Sequence, residues 1–164
     1  MNENEKDILN GVQSQISSFD NKANILLSIV GIIFALTLSF LDVFHADFYL
    51  SKSNAFKVWY TLFFILYIII TISILVSLIL VIIPRSHKTK KKFFNYYKDI
   101  NKMSIEEIKN SMNDSGKKEV EILEQIKINS KICTQKHYLL EFGVIMLFPF
   151  ISCIAVLIMM IMFA

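Results

Sequence analysis

Three stretches of this chain carry no charged residue over lengths that cross a membrane, and they constrain its fold more than any other feature. Residues 23–41, 58–83 and 142–164 hold 19, 26 and 23 residues without Asp, Glu, Lys or Arg. A helix needs roughly 20 mainly apolar residues to cross about 30 Å of hydrocarbon. Composition agrees: 54% of the 164 residues are hydrophobic and the mean hydropathy is +0.52. Small domains have a high ratio of surface to volume and rarely bury that much apolar surface in water. The excess must meet lipid or partner chains. No period-two alternation or hairpin signal argues for strands.

The first run is not built like a signal peptide. Such a peptide has a basic start, an apolar core of about 7–15 residues and a small-residue cleavage site. Here Glu3, Glu5, Asp7 and Asp20 outnumber Lys6 and Lys22 ahead of a longer run. Orientation follows the bases. Residues 84–141 hold Arg85 and twelve of the sixteen lysines, whereas residues 42–57 hold only Lys52 and Lys57. The positive-inside rule then predicts a cytoplasmic segment between spans two and three. Three crossings put the N-terminus in the cytoplasm and the C-terminus outside, in the inner (plasma) membrane. Trp59 and Tyr60 suit an aromatic belt at the outer end of span two. The net charge of +3 is thus mostly topology and calls for no nucleic acid polymer. Cys133 and Cys153 are expected to be plain thiols, since twenty helical residues separate them by about 30 Å.

Before span one, Ile8, Val12, Ile16 and Phe19 lie four, four and three residues apart, one stripe on a helical period. No proline or glycine separates this stripe from the span except Gly11 on its polar side, which predicts one long helix entering the bilayer. Pro84 has no backbone donor and restricts the residue before it, so span two should stop or bend there. Phe93, Phe94, Tyr96, Tyr97 and Ile100 predict a short aromatic helix. Ser104 with Glu107 has capping-box spacing, and "NDSG" at 113–116 reads as a turn. From Lys117 to Pro149 nothing strongly breaks a helix. Val120, Leu123, Ile126, Cys133 and Tyr138 form an apolar face that Ile122, Ile128 and Ile132 widen. Pro149 should kink span three, or serve as a hinge within it.

The expected architecture is an all-α membrane protein. Three transmembrane helices carry a small cytoplasmic helical bundle, formed by extensions of the first and third helices plus a helical hairpin. Its parts are a cytoplasmic helix at 1–22, span one at 23–41, an outer loop at 42–57 and span two at 58–83. A cytoplasmic helical segment at 84–138 and span three at 139–164 complete a single domain.

Catalytic signatures are missing. His45, His87 and His137 are scattered, and there is no CxxC, HExxH, P-loop or GxGxxG pattern, so neither enzyme activity nor a cofactor is expected. Within the spans, Ser28, Thr37, Ser39, Thr71, Ser73 and Ser77 are expected to bond to preceding carbonyls. Ser73-xxx-Ser77 and Gly31-xxx-Ala35 permit close helix approach, within the chain or between copies in a homo-oligomer. The cluster Arg85, Lys88, Lys91 and Lys92 serves as a topological anchor or binds an anionic nucleotide or lipid. Tyr96 beside it is core or a stacking platform for a base. Asp20, Lys22, Arg85 and Lys136 all fall where spans meet the cytoplasm. Asp20 pairing with Arg85 or Lys136 would make a polar collar coupling the wet bundle to the spans. Unlinked snorkelling charges are the competing reading.

At these positions the sequence resembles the Pycsar transmembrane effectors, membrane proteins of bacterial anti-phage systems. The resemblance rests on "FDNKANILLSIVG" at 19–31 and "IIPRSHK" at 82–88. "FFNYYKDINKMSIEEI" at 93–108 and "EILEQIKINSKICTQKHYLL" at 121–140 complete it. It implies an effector that responds to a cyclic pyrimidine nucleotide (cCMP or cUMP) by impairing the lipid bilayer, causing abortive infection. By that likeness Asp20, Lys22 and Ala23 match the first motif, and Pro84 and Arg85 the second, in a coupling or packing role. With no appended nucleotide-binding or phosphohydrolase domain expected, the bundle or a subunit interface would receive the nucleotide. Two other functions fit the bare layout: a membrane-anchored adaptor docking a cytoplasmic partner, and a constitutive holin-like pore former.

Overall fold

The computed structural model describes residues 3–84, 104–106 and 115–163. Among them all regular structure is helical, as lipid-exposed backbone demands when no water is present to satisfy its polar groups. Four long helices have described bounds: α1 (Glu3–Ser51), α2 (Asn54–Ile82), α3 (Ser115–Ile145) and α4 (Leu147–Phe163). Three stretches are long and apolar enough to cross a membrane: Asn4–Phe40, Asn54–Ile82 and Glu119–Phe163. The chain is an all-α, multi-pass membrane protein. It divides into two compact units, Met1–Ser18 with Pro84–Gln135 and Phe19–Ile83 with Lys136–Ala164.

Helix ends follow from local chemistry. The first helix does not end with its apolar run but continues to Ser51, through residues 42–51 that hold neither glycine nor proline. The expected loop at 42–57 therefore contracts to a short turn. Ser53, extended at φ −62° and ψ 152°, accepts the Phe56 N–H through its side chain and caps α2. Pro84 ends α2 as expected: Ile83 still donates to Ile79 O at 3.0 Å but takes ψ 125°, the extended value forced on a residue before proline. Around Pro149 the break falls earlier than the proline itself. α3 stops at Ile145 and Met146 forms the turn. Proline's ring crowds the carbonyl four residues back, which is that of Ile145, and supplies no N–H to it. Met146 N–H to Phe142 O (3.0 Å) and Phe150 N–H to Met146 O (3.2 Å) hold the chain on either side.

In the unit containing the spans, buried positions recur every seven residues. On α2 these are Tyr60, Tyr67, Ile74 and Val81, with Thr71 and Leu78 between them. On α1, Ala23 and Val30 are seven apart, and on α4 Phe150, Cys153, Leu157 and Ile161 form the inner line. A 3.5-residue repeat keeps one seam in contact between nearly parallel helices. The outward side of α2, including Val58, Leu62, Ile65, Ile69 and Ile72, is apolar and exposed, a surface for lipid. Thr71 and Ser77 of the same helix are buried instead.

Ser77 departs from expectation. Ser28, Thr37, Thr71 and Ser73 each bond to the carbonyl four residues back, but Ser77 Oγ donates across to Leu139 O of α3 at 2.6 Å. Gly143 makes that approach possible: a Cβ there would sit 3.1 Å from Leu78 Cδ2 and 3.6 Å from Ser77 Oγ. By contrast, a Cβ at Gly31 would meet nothing within 4 Å, and Ala35 is exposed. Among the described residues, then, nothing packs closely on Gly31.

In the other unit, Val12 and Ile16 of the expected α1 stripe are half-buried while Ile8 is exposed. Gln15 Oε1 accepts a long contact from Cys133 Sγ at 3.6 Å. On α3 the inward residues are Ile122 and Ile132, whereas Val120 and Leu123 are exposed. The face read from spacing is thus rotated by a fraction of a turn. Both cysteines are free thiols.

Candidate coupling site at the membrane threshold

Where the first and third apolar runs begin, the sequence supplies charge just outside each. Asp20 precedes the uncharged run at 23 by three residues, and Lys136 precedes the run at 142 by six. The seven-residue spacing carries Lys136 onto the inner line of α3, between buried Ile132 and Leu140 and in register with Gly143. Its side chain is only 3% exposed. Ala23, fully buried one turn beyond Asp20, adds little bulk between α1 and its neighbours. Lys136 Nζ donates to Asp20 Oδ1 in a charge-assisted contact. Asp20 itself is 30% exposed.

That asymmetry defines the site. An isolated buried ammonium is strongly unfavourable, and it is held here because a carboxylate neutralises it. Asp20 retains access to water, so the pair can exchange a protein partner for solvent on one side only. Around it lie groups that fix the geometry. The Phe19 ring packs against His137 (centroids 5.6 Å apart, tilted 33°), and Lys22 Nζ lies 5.9 Å from the Phe19 centroid. His137 Nε2 and Glu141 Oε2 are 3.9 Å apart, an exposed contact that is ionic only when the imidazole is protonated and that adds little by itself.

Of the residues singled out from the sequence, the structure brings Asp20 and Lys136 together and places Lys22 over Phe19 rather than in the ion pair. Arg85, Lys88, Lys91, Lys92 and Tyr96 lie outside the described residues, as do the aromatic helix at 93–100 and Glu107 of the capping box. Reading by spacing passed over the Phe19–His137 contact. Its signal was present, since Phe19 closes the apolar stripe of α1 one residue before Asp20, and His137 follows Lys136. The cross-helix bond of Ser77 left no such trace, because an intramembrane serine reads the same whether it bonds forward or back.

No curated protein and no solved structure matches the chain. A family model described as the Pycsar effector protein domain matches residues 4–163, taking in nearly all of α1 and the whole of α2, α3 and α4. The threshold pair and all three apolar spans fall inside that match, and on it the chain belongs to the Pycsar effector protein domain family, a multi-pass membrane component of the anti-phage Pycsar system.

Proposed function

We propose that the protein is a non-enzymatic effector that impairs the membrane of an infected bacterium on receiving a cyclic pyrimidine nucleotide, cCMP or cUMP, ending in abortive infection. The observation that carries this reading is the family match from residue 4 to 163, which runs through both compact units and every span. The lysine-rich segment at 84–141 favours a cytoplasmic position by the positive-inside rule, with the N-terminus inside, the C-terminus outside and the protein in the inner (plasma) membrane.

Mechanistically the reading is a population shift. A nucleotide moves an equilibrium only if it binds one arrangement better than another. The cytoplasmic candidates for that contact are Arg85, Lys88, Lys91, Lys92 and Tyr96, which offer phosphate-binding charge beside an aromatic ring. α1 and α3 each contribute residues to both compact units, and the Asp20–Lys136 pair, buried on its lysine side, stands where they meet the apolar runs. A rearrangement that separates the pair strands a buried ammonium, so the resting state is favoured until binding free energy offsets that loss. Gly31, with nothing within 4 Å of a built Cβ among the described residues, and exposed Ala35 leave a small-residue face on α1 for a second copy, which supports a homo-oligomer as the species that acts on the bilayer.

The test is dye entry. Cells expressing the protein are supplied with individual cyclic nucleotides, and uptake of a membrane-impermeant dye is followed. Uptake with cCMP or cUMP, and not with cyclic purine nucleotides or no addition, is the expected result. Well-inserted protein that admits no dye with any nucleotide, or admits it without one, refutes the reading.

A further inference from the structure

Lys22 is exposed on α1 where the uncharged run begins, and its ammonium turns back over the Phe19 ring, with Nζ 5.9 Å from the centroid. Helical side chains lean toward the N-terminus, so the charge is held on the water side of the threshold, at headgroup depth. Phe19 also meets His137 of α3, at 5.6 Å between centroids. The neighbouring acids are engaged elsewhere: Asp20 holds Lys136, and Glu141 lies 3.9 Å from His137. Among the described residues no acid pairs with Lys22.

Beyond Lys22 the same line of α1 carries large apolar side chains. Ile25, Ile29, Ile32 and Leu36 follow it at helical spacings of three and four residues, and all four are exposed. At 1.5 Å per residue, Lys22 to Ile32 covers about 15 Å, half the hydrocarbon thickness. One cation at headgroup depth above a leaflet-long apolar line matches the order of a phospholipid, phosphate first and acyl chain after. A soluble nucleotide or inorganic phosphate would meet the ammonium and leave the line uncovered.

We infer that Lys22, Ile25, Ile29 and Ile32 form a binding site for an anionic phospholipid of the phosphatidylglycerol kind. The lipid phosphate accepts from Lys22 Nζ, the Phe19 ring backs the ammonium, and an acyl chain lies along the three isoleucines. A zwitterionic lipid offers the same chain but carries its own cation beside the phosphate, so the site discriminates by headgroup charge. One lysine near an anionic membrane surface supplies a preference of about five-fold. The lipid is thereby seated against Phe19, next to the Asp20–Lys136 pair in the chain, and links that threshold to the composition of the leaflet.

Photo-crosslinking on the full chain, in bilayers of equal phosphatidylglycerol and phosphatidylcholine with no nucleotide added, tests the site. Ile25→benzoylphenylalanine captures the lipid beside Lys22, and Ile69→benzoylphenylalanine samples an exposed position in the middle of α2; mass spectrometry identifies the lipid in each adduct. The ratio of anionic to zwitterionic adducts should be about five-fold higher at position 25 than at position 69. Lys22→Gln, a change at an exposed side chain, should bring the two ratios together while adducts still form at both positions. Equal ratios with Lys22 in place overturn the inference, as does a preference at position 25 that Lys22→Gln leaves unchanged. Because the resting protein is used, failure here leaves the effector reading intact, and failure of nucleotide-gated dye entry leaves the lipid site intact.

Discussion

Removing the carboxylate of Asp20 and removing the ammonium of Lys136 should have unequal consequences, although each breaks the same contact. Asp20→Ala leaves a lysine whose side chain is 3% exposed with its charge uncompensated. Breaking a buried pair from one side costs about 3–5 kcal/mol, and the 30% exposure of Asp20 places the loss near about 3 kcal/mol. That is on the order of a 100-fold change in the folded population. Lys136→Met removes the charge, keeps an unbranched chain between Ile132 and Leu140, and leaves a carboxylate that already reaches water; its loss should be about 1 kcal/mol. The double variant buries no charge and should match Lys136→Met alone, giving a coupling free energy of about 3 kcal/mol. Cys153, 6% exposed within the spans, reports unfolding by its protection from a thiol reagent in a Cys133→Ser background. Equilibrium unfolding in lipid–detergent micelles then yields all four corners of the cycle. Additive single losses, or a Lys136→Met variant as damaged as Asp20→Ala, refute the claim that the buried ammonium depends on Asp20.

Gly143 and Pro149 give two further expectations. Gly143→Ala should be near neutral, because about 1 kcal/mol of helix propensity opposes the crowding of Leu78, itself 1% exposed and 3.1 Å from the new Cβ. Gly143→Leu should lose about 1–3 kcal/mol by overpacking, with partial rescue by Leu78→Ala; thermal unfolding in nanodiscs checks both, and a harmless Gly143→Leu counts against the close approach. Pro149→Ala restores a donor for Ile145 O and should fuse α3 with α4, slowing amide exchange across 146–149; a turn that persists at Met146 shows that the proline did not cause it.

Much of the architecture was legible because the lipid requirement is severe and local. An uncharged run of 19 residues at 23–41 can hardly be anything but a spanning helix, and Pro84 stops α2 through its own ring. Charge at the threshold narrowed the partner of Asp20 to Arg85 or Lys136, and Lys136 is the one the described residues bring to it. At 42–51 the expected loop had no local signal behind it: those residues hold neither glycine nor proline, and α1 runs through them to Ser51. Local rules failed where a neighbouring helix decides. Along α3 the apolar residues are dense enough that several faces look equivalent, so that Ile122 and Ile132, taken from spacing as the margin of the face, are its buried centre.

The sequence by itself determined that this chain crosses a membrane three times in helices, where those helices meet charge, and, through its motifs, its likeness to the Pycsar effectors. Only the tertiary structure decided which side of each span faces inward. A helix that is apolar all round gives no hydropathy contrast between lipid and protein. The seam at Tyr60, Tyr67, Ile74 and Val81, the reach of Ser77 to Leu139, and the burial of Lys136 against Asp20 are set by shape and hydrogen bonding between helices, and those exist only once the helices are side by side.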